Sequence, residues 1–213
     1  MVQVNYLAHD RPDIRYSTMR ASVSMAKPRR SDLQKVIRIG RFLKTRPRAV
    51  CLYRWQSRAE RVSVYADSDW AGCRHTRRSV TAGAIFVGDH CVKSWAKRQQ
   101  VVALSSAEAE LYAAVKAGSE GLGVQSLCGD LGVKAEVDLY LDSSSALALT
   151  NRSGLGRAKH VEIQHLWLQG AVKSGRLTVS KVATEENPAD LGTKPLDGRR
   201  IERLMLLLGF RYP

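Results

Sequence analysis

Apolar and polar side chains alternate over residues 62–66, Val-Ser-Val-Tyr-Ala, at the period of a strand with one buried face. Residues 80–87 and 91–96 predict two more strands around Gly88-Asp89, a dipeptide of tight hairpin turns. Residues 137–141 and 177–182 predict a fourth and a fifth strand. Elsewhere the period lengthens. Ser105-Ser-Ala-Glu108 has the form of a capping box, in which a hydroxyl accepts from a backbone N–H and a glutamate reaches back. Glu110, Leu111, Ala114 and Val115 continue a helix behind it. A short Ser/Ala/Leu helix is expected after Asp142, another over 160–173 ahead of Gly175, and a last one from near Asp190. Three strands, a helix, a strand, two helices, a strand and a helix make a mixed α/β sheet flanked by helices.

The first 48 residues read as helical. Ser31-Asp-Leu-Gln34 has the form of a second capping box, and Leu33, Val36, Ile37, Gly40 and Leu43 follow at helical spacing. Lys35, Arg38 and Lys44 fall largely off that stripe; Pro28 precedes the helix and Pro47 stops it. Residues 49–61 read as a connector, and 201–208 as a short apolar C-terminal helix that packs on the sheet or on a partner.

Composition narrows the class. With 44% hydrophobic and 25% charged residues, the chain is ordinary for a globular protein. Its longest apolar runs, such as 85–87 and 204–208, fall far short of the roughly 18–20 residues that span a bilayer. Asp10 and Arg11 interrupt the N-terminus before a secretory h-region develops. Cys51, Cys73, Cys91 and Cys128 show no C-x-x-C spacing, which argues against zinc and for reduced thiols in an intracellular, cytoplasmic or nuclear setting. Charge is the more informative quantity. The net charge is +14, and residues 1–60 carry 14 basic and 4 acidic side chains against 20 and 16 in the rest. A basic front end on a nearly balanced body points to a polyanion, nucleic acid ahead of an anionic membrane surface.

Four carboxylates stand at corresponding points of the predicted sheet. Asp67 ends the first strand, Asp142 ends the fourth, Glu110 opens a capped helix and Asp190 follows Asn187-Pro188. The C-terminal ends of strands are where α/β proteins collect chemistry. Hard divalent cations take oxygen ligands, and two of them can flank a phosphodiester under attack. Each residue has a structural reading when taken alone: a first-turn charge for Glu110, a helix N-terminal charge for Asp190, an N-cap for Asp142. The four together, beside a basic surface, favour the chemical reading.

The stretches "YADSDWAGCRHTRRSVTAGAIF", "VKSWAKRQQVVALSSAEAELYAA", "LYLDSSSALAL", "AKHVEI" and "ENPADLGTKPL", in this order, resemble the ribonuclease H domain at the end of copia-type LTR retrotransposon Pol polyproteins. The front end, "NYLAHDRPDIRYSTMRAS…SDLQKVIRIGRFLKTRPR", is similar to the tail of the reverse transcriptase near its thumb and connection. The resemblance implies a ribonuclease H-like mixed five-stranded sheet flanked by helices over 62–196. To this it adds an N-terminal helical appendage (1–48), the 49–61 connector, and a C-terminal helix and tail (197–213). It implies Mg²⁺-dependent endonucleolytic hydrolysis of the RNA strand of RNA–DNA hybrids. Two Mg²⁺ ions, or Mn²⁺, would be held by Asp67, Glu110 and Asp142 on one side and Asp67 with Asp190 on the other.

Asp69 and Glu108 lie close enough in the same motifs to compete for the first and second of these roles. The resemblance further places Arg77, Arg78, Ser79, Lys97, Arg98, Gln99, Ser143, Lys159 and His160 on the nucleic-acid side. Trp70 and Trp95 are expected in the core. The rest of a Pol polyprotein or a larger assembly are the implied protein partners. Two departures matter. No Tyr-x-Asp-Asp signature occurs, so no polymerase activity is expected of this stretch. The loop "VATEENPAD" lacks the histidine that cellular ribonucleases H carry before the last aspartate. The rival reading is a catalytically silent, domesticated or truncated relic serving as a nucleic-acid-binding or assembly module.

Overall fold

The computed structural model describes residues 1–73, 75–152 and 162–213. Helices α1 (Val2–Leu7), α2 (Pro12–Ser22) and α3 (Arg30–Thr45) come first. Strand β1 (Val50–Cys51) precedes the three antiparallel strands β2 (Arg61–Asp69), β3 (Val80–Val87) and β4 (His90–Arg98). Then follow α4 (Ser106–Asp130), β5 (Glu136–Leu141), α5 (Ser144–Asn151), α6 (Glu162–Lys173), β6 (Thr178–Lys181), α7 (Gly198–Leu207) and β7 (Phe210–Arg211). The main sheet has five strands in the order β4-β3-β2-β5-β6, with β5 and β6 parallel to β2. It is a mixed five-stranded sheet flanked by helices, as expected.

Alternation decides which side of β2 faces which layer. Val62, Val64 and Ala66 are fully buried on one face with Leu139 and Leu141 of β5, under Leu111, Ala113, Ala114 and Ala117 of α4 and Leu168 of α6. The opposite face packs Phe86 and Cys91 against Leu191, Leu204, Met205 and Leu208. Strand β3, flanked by β4 and β2 and covered on both faces, is buried over Val80–Phe86. A strand covered on both faces reads as an unbroken apolar run. Gly88, at φ +58°, supplies the left-handed residue that the hairpin between β3 and β4 requires.

Local signals needed correction at four points. Helix α3 is not capped by Ser31. Its N-cap is Arg29, and the Asp32 carboxylate accepts from the Arg29 backbone N–H at 3.0 Å. Its buried stripe runs through Asp32 and Ile39, with Val36, Phe42 and Leu43 partly covered, while Leu33 and Ile37 are exposed. At α4 the Ser105 hydroxyl does accept from Glu108 N–H, but the Glu108 carboxylate reaches Leu104 N–H rather than that of Ser105. No α-helix starts at Asp190, which sits in a 3₁₀ turn, Pro188–Gly192; the last helix begins at Gly198. Trp70 is 47% exposed rather than core, its indole N–H donating to the Ala103 carbonyl, whereas Trp95 packs against the core.

The connector is not structureless. β1 pairs antiparallel with β7, Val50 opposite Arg211 and Cys51 opposite Phe210. A buried polar knot lies beside this ribbon. The Arg11 guanidinium grips Asp13 through two bonds (3.1 and 2.8 Å) and donates to the Arg46 carbonyl. The Tyr212 hydroxyl donates to Asp13 at 2.8 Å, and the Arg46 guanidinium lies 4.9 Å from the Tyr212 ring centre. Burial, and then Asp13, push the Tyr212 phenol above its ordinary range, so it stays a donor.

Candidate active site

The parallel pairing of β2 and β5 ends with Ala66 opposite Leu141, so the next residues, Asp67 and Asp142, stand side by side where that pairing stops, Asp67 still paired with Ala82 of β3. Asp190 arrives from the Pro188–Gly192 turn, which Asn187 ties to the sheet. The fully buried Asn187 amide donates to the Ala66 carbonyl at 3.0 Å, and its oxygen accepts from Ala189 N–H at 3.1 Å. Gly192 lets the turn lie flat on β3 and β4, since a Cβ there would come within 2.6 Å of the Ala82 Cβ. Each of Asp67, Asp142 and Asp190 offers a carboxylate oxygen, and the three oxygens lie within 4.8 Å of one another.

Glu110 stands in the second turn of α4. One of its oxygens accepts from the Ser68 backbone N–H (3.3 Å) and hydroxyl (2.9 Å). The other, Oε2, is buried without a hydrogen-bond partner. A buried carboxylate oxygen without a donor is costly unless a proton or a cation meets it. Asp69 lies at the end of β2 outside the trio, its carboxylate against Gly72, and Glu108 serves the start of α4.

The electrostatics match that crowding. Burial pushes the Asp67 carboxyl up to about 7; Asp190 and Asp142 add to the rise, and a 2.6 Å bond donated by Thr193 opposes it. Burial, and then Asp67, push Glu110 up to about 8 against the Ser68 bonds. Asp142 is raised by burial and Asp190, opposed by a bond from Thr184. Two cations answer the cluster: Lys194 Nζ lies 2.8 Å and Arg200 3.0 Å from the two Asp190 oxygens. For Lys194, burial lowers the ammonium's pKa, but Asp190, Asp67 and Asp142 outweigh it and the net shift is upward. Carboxylates this close are repelled from full ionisation, and oxygen-only donors of this kind suit a hard divalent cation.

The basic residues divide. Thr81 sits opposite Ser68 on one side and Lys97 on the other, so Lys97 is two strands, about 10 Å, from β2. Lys97 and Arg98 line a groove of about 230 Å³ with Tyr112 and Lys116. Arg77 is exposed, at φ +53°, and Arg78 is half-buried. Ser79 and Gln99 face inward. The Ser79 hydroxyl accepts from Ala71 N–H, and the Gln99 amide donates to Thr81 and to the Ala109 carbonyl. Ser143 caps α5, accepting from Ala146 N–H. Lys159 and His160 lie outside the described residues.

Sequence reading missed the supports: Ser68, Asn187, Thr193, Lys194 and Arg200. Only Asn187, ahead of Pro188, carried a local signal, that of an Asx turn. Asn187→Ala is expected to cost about 1–3 kcal/mol by leaving the Ala66 carbonyl and Ala189 N–H unmatched. The readout is the urea midpoint at constant slope. An unchanged midpoint would mean that other contacts hold the turn.

A mixed five-stranded sheet flanked by helices, with carboxylates gathered where the pairing of two parallel strands ends, makes this an α/β protein with a candidate divalent-metal site. No protein-family model matches the chain. Over 209 residues, 97% of its length, it is 31% identical to the retrovirus-related Pol polyprotein from transposon RE1 of Arabidopsis thaliana. It is 36% identical over 148 residues, 68% of its length, to that from transposon TNT 1-94 of Nicotiana tabacum. The chain belongs to the copia-type retrovirus-related Pol polyproteins. It spans 14% and 11% of those two relatives. Among solved structures it is similar to the N-terminal RNase H domain of rv2228c from Mycobacterium tuberculosis, at 13% identity and a TM-score of 0.47 over 70% of this chain and 98% of that one.

Proposed function

We propose that this chain is the ribonuclease H portion of a copia-type Pol polyprotein and hydrolyses the RNA strand of RNA–DNA hybrids endonucleolytically. The observation that supports this most is the convergence of Asp67, Asp142 and Asp190 beside the unpartnered Oε2 of Glu110. Asp67, Glu110 and Asp142 would hold one divalent cation, Mg²⁺ or Mn²⁺, and Asp67 with Asp190 a second. Bound there, the cations would supply Lewis-acid stabilisation of the attacked phosphodiester and of its entering and departing oxygens.

The protein's own part is positioning. Ser68 fixes one oxygen of Glu110 and leaves the other, Oε2, without a partner. Thr193 orients the Asp67 carboxylate, and Lys194 and Arg200 hold Asp190. Lys97 and Arg98, two strands away, would meet backbone phosphates, while the hybrid is selected by shape and 2′-hydroxyls rather than base sequence. The products would carry 5′-phosphate and 3′-hydroxyl ends, and the reaction would run inside the cell, in cytoplasm or nucleus. Among the described residues no helix is long and apolar enough to cross a membrane.

The test is an end-labelled RNA strand annealed to DNA, incubated with Mg²⁺ beside duplex DNA and single-stranded RNA. Cutting confined to the hybrid is the expected result. Salt-sensitive hybrid binding without cutting would instead identify a silent nucleic-acid-binding module.

A further inference from the structure

The end of the sheet opposite the carboxylates carries a second built surface. Arg61 and Asp67 are six residues apart on β2, about 20 Å. At the Arg61 end the connector between β1 and β2 is pinned rather than loose. The Gln56 amide donates to the Val87 carbonyl at 3.1 Å, and its oxygen accepts from Asp89 N–H at 2.9 Å. The Tyr53 hydroxyl donates to the Cys91 carbonyl, and its ring meets His90 edge-on at 5.2 Å. Leu52 N–H donates to the Gly209 carbonyl, extending the β1–β7 ribbon.

Held this way, Trp55 is 91% exposed at the edge of a groove of about 310 Å³ that Leu52 and Leu206 also line. Arg54 and Arg211 line the groove and Arg58 follows three residues after Trp55; all three are exposed, and none forms an ion pair among the described residues. Asp89 is the acid in the lining and Glu60 lies just beyond.

We propose that this groove binds single-stranded nucleic acid. Trp55 stacks a base, and Arg54, Arg58 and Arg211 meet the phosphates on either side. Stacking platforms ringed by cations are how single strands are held without regard to sequence, because every base has a π-face. A polyanion is favoured by the charge balance: three arginines without ion pairs among the described residues stand against Asp89 in the lining. The site shares no residue with the carboxylate cluster, so it stands or falls independently of the nuclease reading.

The experiment is fluorescence anisotropy of a labelled oligothymidylate of about 20 nucleotides with the full chain in EDTA, across a salt series. Trp55→Ala is expected to weaken binding about tenfold or more at an unchanged salt slope, and Trp55→Phe to restore most of it. Replacing Arg54, Arg58 and Arg211 by Gln is expected to flatten the slope by about 2, since each phosphate neutralised on a single strand contributes about 0.7. Trp55 carries no packing, so circular dichroism should show all variants folded. Equal affinity of the Trp55→Ala variant, or no binding of the oligonucleotide by the unaltered chain, would overturn the proposal and leave the surface to a protein.

Discussion

Asp142→Asn is expected to reduce hybrid cleavage by on the order of 10³-fold or more while the hybrid still binds. Loss of one metal-ligating carboxylate removes several kcal/mol of charge stabilisation from the transition state. Each 1.36 kcal/mol is a factor of ten in rate. Asp142 suits the test better than Asp67. It is half-buried, whereas Asp67 is buried and bonded to Thr193, so its exchange also disturbs the turn that carries Asp190. Asn is nearly isosteric and removes one of three mutually repelling carboxylates, so the fold is expected to hold. Hybrid affinity should be equal or slightly tighter, because one negative charge facing the phosphates has gone. Cleavage at the parental rate by the Asn variant, measured in the same preparation, would remove Asp142 from the catalytic set.

Without divalent cations, stability is expected to fall as pH rises from about 4 to about 8. The sign follows from proton counts. Asp67 and Glu110 keep their protons in the native state up to about 7 and about 8, whereas the unfolded chain releases them at ordinary carboxylate values. Between those limits the native state binds more protons, so each unit of pH lowers the unfolding free energy. At 1.36 kcal/mol per unit, the carboxylate cluster as a whole amounts to a loss on the order of a few kcal/mol by pH 8. For a chain of this size that is a fall in Tm on the order of 10 °C. Millimolar Mg²⁺ at pH 8 should recover much of it, because the cation would neutralise carboxylates that have lost their protons. Glu110→Gln should flatten the profile. A Tm that holds level or rises from pH 5 to pH 8 in EDTA would show that the cluster is not strained as described.

The strands were legible because their signal is local. Alternation over 62–66 and the Gly88-Asp89 turn each need only neighbouring residues. Asp142 was legible as a strand end for the same reason; Asp67 was expected to end its strand, but β2 runs on to Asp69 because β3 continues to pair with it. The setting of Asp190 was not legible, because its turn is shaped by Asn187 reaching the Ala66 carbonyl across 121 residues, which no periodicity records. In α3, the candidate stripe through Leu33 and Ile37 and the observed one through Asp32 and Ile39 are both compatible with 3.6-residue spacing. Packing against α2 and the bond from Asp32 to the Arg29 N–H chose between them. Ser79 and Gln99 sat in basic stretches and read as surface, yet both are buried among backbone partners. A short polar residue between cations looks the same in sequence whether it faces water or the core.

The ribbon of β1 with β7 and the bond from Tyr212 to Asp13 bear on how the chain is made. Residues 199 apart must meet before the Arg11–Asp13 pair is closed over. Ribosomes add about 5–20 residues per second. The N-terminal helices therefore wait on the order of 10–40 seconds with that face uncovered, longer than the time most domains need to fold. Closure of this side therefore follows the synthesis of β7 rather than that of the helices.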